Sequence, residues 1–253
     1  MKKMEQLNKA LSEKRCVKVI SGINNFDTEK VKRVVTAADQ AGASAVDVAA
    51  RENIIYITKE LTDISVFVSS VVPEELKMAY DNGADVLEVG NFDNLYAQGM
   101  SITSREVLDI TRKTLDLVGS GAMMSVTVPG HLSTAEQINL AMELETLGVH
   151  LIQTEGSAIS EVVSNGARGF IEKAHVSIAN TIELTRNLNI PVMTASGITV
   201  TTAPLAIAAG ASAVGIGSCV NKLESTLEMI AVIRSVVESI SKLRNPSKEE
   251  ALV

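Results

Sequence analysis

Eight short apolar runs recur in step along the chain: CVKVISG (16–22), AVDVAA (45–50), VFVSSV (66–71), VLEVG (86–90), MSVTV (124–128), LIQTEG (151–156), VMTASG (192–197) and AVGIGS (213–218). Each has the length of a buried strand. The stretches between them carry helical periodicity, as in TEKVKRVVTAADQAG (28–42), PEELKMAYDNG (73–83), SREVLDITRKTLDLVG (104–119) and TAEQINLAMELETLG (134–148). Several close on the glycine expected just past a helix, and TEKV and TAEQ place Glu or Gln near a capping-box position. Strand then helix, eight times, predicts a parallel eight-stranded (β/α)8 TIM barrel. It would be a single domain over 1–253, with 1–15 as an N-terminal helix or extension and 244–253 as a polar tail. A doubly wound open sheet is the alternative, but no G-x-G-x-x-G follows the first run. AGASAV occurs at 41–46 and again at 209–214, with NGADVL (82–87) a looser copy, as expected of equivalent βα units.

A second period, of two, separates the strands into faces. One face reads Val17, Val19, Val46, Val48, Val66, Val68, Leu87, Val89, Met124, Val126, Val128, Ile152 and Met193, apolar throughout. The other gathers Lys18, Asp47, Ser69, Glu88, Ser125, Thr127, Gln153, Glu155, Thr194 and Ser196. In a barrel the apolar face meets the helices, so the polar face points into the lumen. Lumens are usually filled by branched aliphatics, and here one lysine faces three carboxylates. Lys18, Asp47, Glu88 and Glu155 are therefore the candidate catalytic proton donors and acceptors. The competing reading is a mutually satisfied ion-pair network of structural value only. A divalent metal on Asp47 and Glu88 is a minor alternative.

The carboxyl-end loops carry the remaining candidates. Asn24 and Asn91, in loops that also hold Asn25, Asp27, Asp93, Asn94, Tyr96 and Gln98, offer groups for a hydroxyl-rich ligand, with Asp27 equally a helix cap. His131 in PGHLST sits on the same rim as an acid–base candidate or an ordinary surface histidine. The glycine-punctuated segment 156–175 brings Arg168 and Lys173 as candidates for an anion. Strands seven and eight both end at glycine, the place where many barrels hold phosphate on backbone N–H groups and a helix start. Ser196, Gly197, Ile198, Gly217 and Ser218 are the matching phosphate-binding positions, unless the glycines only make tight turns.

Composition narrows the partners. The 253 residues are 46% hydrophobic with a net charge of −7 and no basic tract, which argues against nucleic acid and anionic membranes. No stretch approaches the length of a membrane span, and the N-terminus lacks a leader's apolar core. Cys16 and Cys219 lie in apolar contexts without metal-type spacing and read as free buried thiols.

KVISGINNFD, AVDVAAR, LEVGNFDNLYAQG, SVTVPGHL, IQTEG and MTASGI resemble, over essentially the whole chain, the hypothetical chloroplast reading frame twenty-three proteins of algal plastids and cyanobacteria. That resemblance implies a barrel in a photosynthetic lineage, cytoplasmic in a cyanobacterium or in the stroma if plastid-encoded, and supplies no reaction. The ASGI…GASAVGIGS ending is similar to the phosphate-binding barrel superfamily of thiazole synthase, tryptophan and histidine biosynthesis enzymes and sugar-phosphate epimerases. Ser196–Gly197 stands where that superfamily often has Gly-Gly; thiazole synthase uses a strand-borne lysine for an imine, whereas the clear strand lysine here, Lys18, lies on the first strand and is not aligned with it, so the resemblance implies no shared reaction.

The expectation is an enzyme acting on a small phosphorylated metabolite by acid–base chemistry, as an isomerase, epimerase, lyase or synthase. No cofactor is expected. A noncatalytic or regulatory barrel binding a phosphorylated ligand or partner protein is the alternative, and a flavin mononucleotide-binding barrel the second; self-association stays open.

Overall fold

The computed structural model describes residues 2–92, 96, 99–156 and 164–242. Asp93, Asn94, Gln98 and the tail 244–253 lie outside the described residues. Eight strands form: β1 (Cys16–Ile20), β2 (Ala45–Ala49), β3 (Ser65–Ser70), β4 (Val86–Val89), β5 (Met124–Val128), β6 (Leu151–Thr154), β7 (Val192–Thr194) and β8 (Ala213–Ile216). Each pairs in parallel with its successor and β8 closes on β1, which makes a (β/α)8 TIM barrel. Between and around them run α1 (Lys2–Ser12), α2 (Thr28–Gln40), α3 (Glu52–Leu61), α4 (Pro73–Asp81), α5 (Ser104–Val118), α6 (Thr134–Thr146), α7 (Gly166–Asn187), α8 (Ala203–Ala208), α9 (Ser218–Asn221) and α10 (Thr226–Ser241).

The repeated AGASAV phrase has a structural cause. Gly42 and Gly210 take φ of 79° and 110°, and the residues after them, Ala43 and Ala211, donate back to Ala38 and Ala206 at 3.0 and 3.1 Å. Gly83 and Ala84 of NGADVL repeat the arrangement, with φ 77° and a 3.0 Å bond to Ala79. This is the helix-ending hydrogen bond that a left-handed glycine permits. In the two copies and the looser one, the following Ser44, Ser212 or Asp85 N–H then bonds to the preceding strand, launching β2, β8 and β4. The helix starts sit one residue earlier than TEKV and TAEQ suggest. Asp27 caps α2 through bonds to Glu29 and Lys30 N–H, and Ser133 with Glu136 forms the capping box of α6. Thr28 and Thr134 are already helical, so the hydroxyl or carboxylate just outside does the capping.

Val17, Val19, Val46, Val48, Val66, Val68, Leu87, Val89, Met124, Val126, Val128 and Ile152 pack under the helices in one continuous core. Met193 does not join them. It belongs to a separate inner cluster with Cys16, Ala45, Phe67, Val86, Leu151 and Ala213, which α1 seals with Leu7 and Leu11. Burying those two leucines contributes about 1.5–3 kcal/mol each. Register explains the strand-seven correction: Gln153 pairs with Met193 and Thr154 with Thr194, and paired residues share a side of the sheet. Met193 therefore faces the lumen and Thr194 faces α7, where its hydroxyl meets the Thr181 hydroxyl at 2.6 Å. A threonine tolerates the helix-facing side because the helix supplies its partner. Ser196 lies beyond the strand, in a left-handed turn with φ 70°, rather than on the strand's lumen face.

Candidate functional site

Above the apolar floor, the lumen holds the predicted charges in contact. Lys18 from β1 forms an ion pair with Glu88 from β4 and stands 3.9 Å from Asp47 Oδ2 on β2. Its ammonium also lies 4.8 Å from the Phe67 ring centroid. Glu88 accepts from Ser125 Oγ at 2.9 Å and from Gln153 Nε2 at 3.1 Å, while the same Gln153 nitrogen reaches Thr127 Oγ1 at 3.1 Å. These polar strand residues, legible as one face, thus form a connected network that compensates the desolvated ions.

Asp47, midway along β2, joins the network to the loop after β4. Ser69 Oγ donates to Oδ1 at 2.5 Å, and Asn91 Nδ2 to Oδ2 at 3.2 Å. Burial pushes the Asp47 carboxyl up to about 7; Lys18 pulls the other way and Glu88 reinforces the rise. A carboxyl poised near neutrality is equipped to exchange a proton. Asn91 sits on a left-handed backbone, φ 63°, uncommon outside glycine, and this conformation carries its amide over Asp47.

Glu155 lies just past β6 and is held from the neighbouring loops. Tyr96 donates its hydroxyl to Oε2 at 2.7 Å and the Gly130 N–H reaches the same oxygen at 3.3 Å. A Cβ on Gly130 would collide with the Glu155 carbonyl, so the glycine of PGHLST is what lets β5's loop close over this carboxylate. His131 is exposed and meets Tyr96 edge-on, with centroids 5.5 Å apart and planes at 84°. In the sequence Tyr96 is one polar loop residue among several; its bond to Glu155 joins residues 59 apart, for which no local pattern exists.

At the ends of β7 and β8 the predicted phosphate positions come together around Lys173 of α7. Ser196 and Gly197 are both left-handed, φ 70° and 75°. A Cβ on Gly197 would lie 2.7 Å from the Lys173 carbonyl oxygen and 2.9 Å from its Cγ, so only glycine fits. The Lys173 ammonium continues to Ser218 Oγ at 3.5 Å, spanning the two loops. Gly217 precedes α9 without a side-chain cap, and Asn221 ties α9 to β1 through the Ile20 carbonyl at 2.8 Å. Among the described residues, the N–H groups of Gly197, Ile198 and Ser218 reach no acceptor and Lys173 has no carboxylate partner.

Other candidates fall elsewhere. Arg168 is exposed and engaged by Glu172 of its own helix at 2.9 Å. Asn24 and Asn91 line a cleft of about 220 Å³ at the ends of β1 to β4, together with Phe26, Arg51 and Glu75. Burial raises the Cys16 thiol to about 12 and also raises Cys219, so neither is an activated nucleophile. Among the described residues no three His, Cys, Asp or Glu side chains gather as metal ligands, and no helix is long and apolar enough to cross a membrane.

Comparison with known proteins points to the same architecture. The (S)-3-O-geranylgeranylglyceryl phosphate synthase of Thermoplasma acidophilum, solved with sn-glycerol-1-phosphate, superposes with a TM-score of 0.62 at 17% identity over 93% of this chain and 98% of that one. A 3-hexulose-6-phosphate synthase superposes with a TM-score of 0.64 at 16% identity over 89% of this chain and 99% of that one. At such identities they share the fold. Closer in sequence, the uncharacterized protein ycf23 of Cyanophora paradoxa is 38% identical over 237 residues, 93% of this chain and 97% of the relative. That of Pyropia yezoensis is 34% identical over 238 residues, 94% and 87% of the two chains. Residues 1–246 match the family described as protein of unknown function (DUF561), and with these relatives the chain belongs to that family.

Proposed function

We propose that the protein is an enzyme acting by acid–base chemistry on a small phosphorylated metabolite, of the isomerase, epimerase, lyase or synthase type. The observation that carries the reading is the group of donors at one place: the Gly197, Ile198 and Ser218 N–H groups, which reach no acceptor among the described residues, and the Lys173 ammonium, which has no carboxylate partner among them. Oriented backbone N–H groups with a cation favour a phosphate over a neutral ligand. Two fold neighbours that act on or bind phosphorylated compounds give the same direction by analogy of fold alone.

Glu155 and Asp47 would be the proton-transferring groups: Glu155, just past β6, accepts from Tyr96 and the Gly130 N–H, and Asp47, midway along β2, accepts from Asn91 of the loop after β4. Lys18 and Glu88, wholly buried and paired with one another, would set the field in which Asp47 titrates. That pairing is also the observation favouring a noncatalytic barrel, in which the lumen charges are structural and the phosphate is only bound.

Calorimetric titration with inorganic phosphate tests the reading: saturable binding is expected for the wild type and at least tenfold weaker binding for Ser218→Pro, which removes one donor N–H. Absence of binding by the wild type overturns it. Glu155→Gln should retain phosphate affinity and lose turnover of a substrate found by screening phosphorylated metabolites; unchanged turnover would favour the noncatalytic reading.

A further inference from the structure

The cleft at the ends of β1 to β4 lies on the same end of the barrel as the proposed phosphate loops, on the opposite arc of strands. Its cation is Arg51, which lies between β2 and α3 and immediately precedes α3. The guanidinium is fixed from several sides. The Phe26 ring lies 4.8 Å from it, Nη1 donates to the Ala50 carbonyl at 3.0 Å and to Glu75 Oε1 at 2.6 Å, and Ser70 Oγ holds the other Glu75 oxygen at 2.6 Å. Burial opposes ionisation of Glu75, but the bonds from Ser70 and Arg51 hold its carboxyl below the usual range. Every one of those contacts uses the face or Nη1 of Arg51. Its remaining edge, Nε with Nη2, reaches no acceptor among the described residues, and the side chain is 48% exposed.

An exposed ion pair by itself contributes little, yet this one orders a guanidinium while leaving open the edge whose two parallel N–H bonds match the two oxygens of a carboxylate. The neighbours in the cleft, Asn24 and Asn91, offer carboxamides for adjoining polar groups, and Asn91 bonds to Asp47. A ligand group held at Arg51 therefore shares the cleft with Asn91, whose carboxamide bonds to a proposed proton-transferring carboxyl.

We propose that this cleft is a second recognition subsite, specific for a carboxylate, so that the ligand is a phosphorylated carboxylic acid bound at both ends. The inference rests on the phosphate reading above and narrows its substrate class.

The test uses the full chain and calorimetry with paired probes: phosphonoacetate, 3-phosphonopropionate and 4-phosphonobutyrate, each against the alkylphosphonate of equal length, with inorganic phosphate as reference. One carboxylated probe should bind about 10- to 100-fold tighter than its alkyl partner, the worth of charge-assisted hydrogen bonds. Arg51→Met should reduce that ratio to about one without changing affinity for inorganic phosphate, and Arg51→Lys should lose most of it. Phosphate binding with no carboxylate preference at any length overturns the second subsite alone. A preference that survives in Arg51→Met overturns its assignment to the cleft. Failure of phosphate and every phosphonate to bind overturns both readings.

Discussion

Lys18 and Glu88 meet as an ion pair at the barrel axis with both side chains wholly buried, and strands β1 and β4, which are not neighbours in the sheet, are joined through it. Taking one partner away leaves the other charged in a dry lumen. Glu88→Leu should therefore lower stability by about 3–5 kcal/mol, read by urea unfolding, and Lys18→Met in the same background should recover a large part of the loss. A cost below about 1 kcal/mol for Glu88→Leu would mean that the pair is not desolvated as the structure has it.

The raised Asp47 carboxyl gives a pH dependence of definite sign. Folded Asp47 holds its proton up to about 7, whereas the unfolded chain releases it near 3.8. Between those values the native state binds more protons than the unfolded state, so this residue's contribution to stability falls as pH rises and is constant above the window. The stability difference, wild type minus Asp47→Asn, should decline from about pH 4 to about pH 7 and then level off. A difference that grows over that range would place the Asp47 carboxyl below its ordinary value and contradict the burial argument.

Gly197 and Gly42 separate backbone strain from collision. Both are left-handed, but a Cβ at Gly42 meets nothing within 4 Å, whereas one at Gly197 strikes the Lys173 backbone. Gly42→Ala should cost about 1–2 kcal/mol. Gly197→Ala should cost more and also weaken phosphate binding; equal costs, with binding intact, would remove the Gly197–Lys173 packing from the account.

Much of the fold is readable in the sequence because its signals are local. The eight apolar runs, the period-two faces and the glycine that ends α2, α4 and α8 each lie within a few residues of what they specify. VMTASG misleads because it has small or polar residues on both sides and no charge to orient it; register against Gln153 decides its facing, and register is not in the run itself. The contacts Tyr96–Glu155, Asn91–Asp47 and Arg51–Glu75 join residues 59, 44 and 24 apart, so sequence supplies the candidates but not their pairing. The facing of β7 has its own check. Thr194→Val should cost about 1 kcal/mol, the worth of one hydrogen bond, while phosphate affinity stays unchanged; a loss of affinity would return Thr194 to the ligand side.

The central claim is tested most directly by diffraction from crystals soaked in inorganic phosphate at a saturating concentration. The account predicts tetrahedral density within hydrogen-bonding distance of the Gly197, Ile198 and Ser218 N–H groups, with the Lys173 ammonium turned to it. A mouth that shows no anion between β7 and β8 under those conditions would contradict the phosphate site and every functional step built on it.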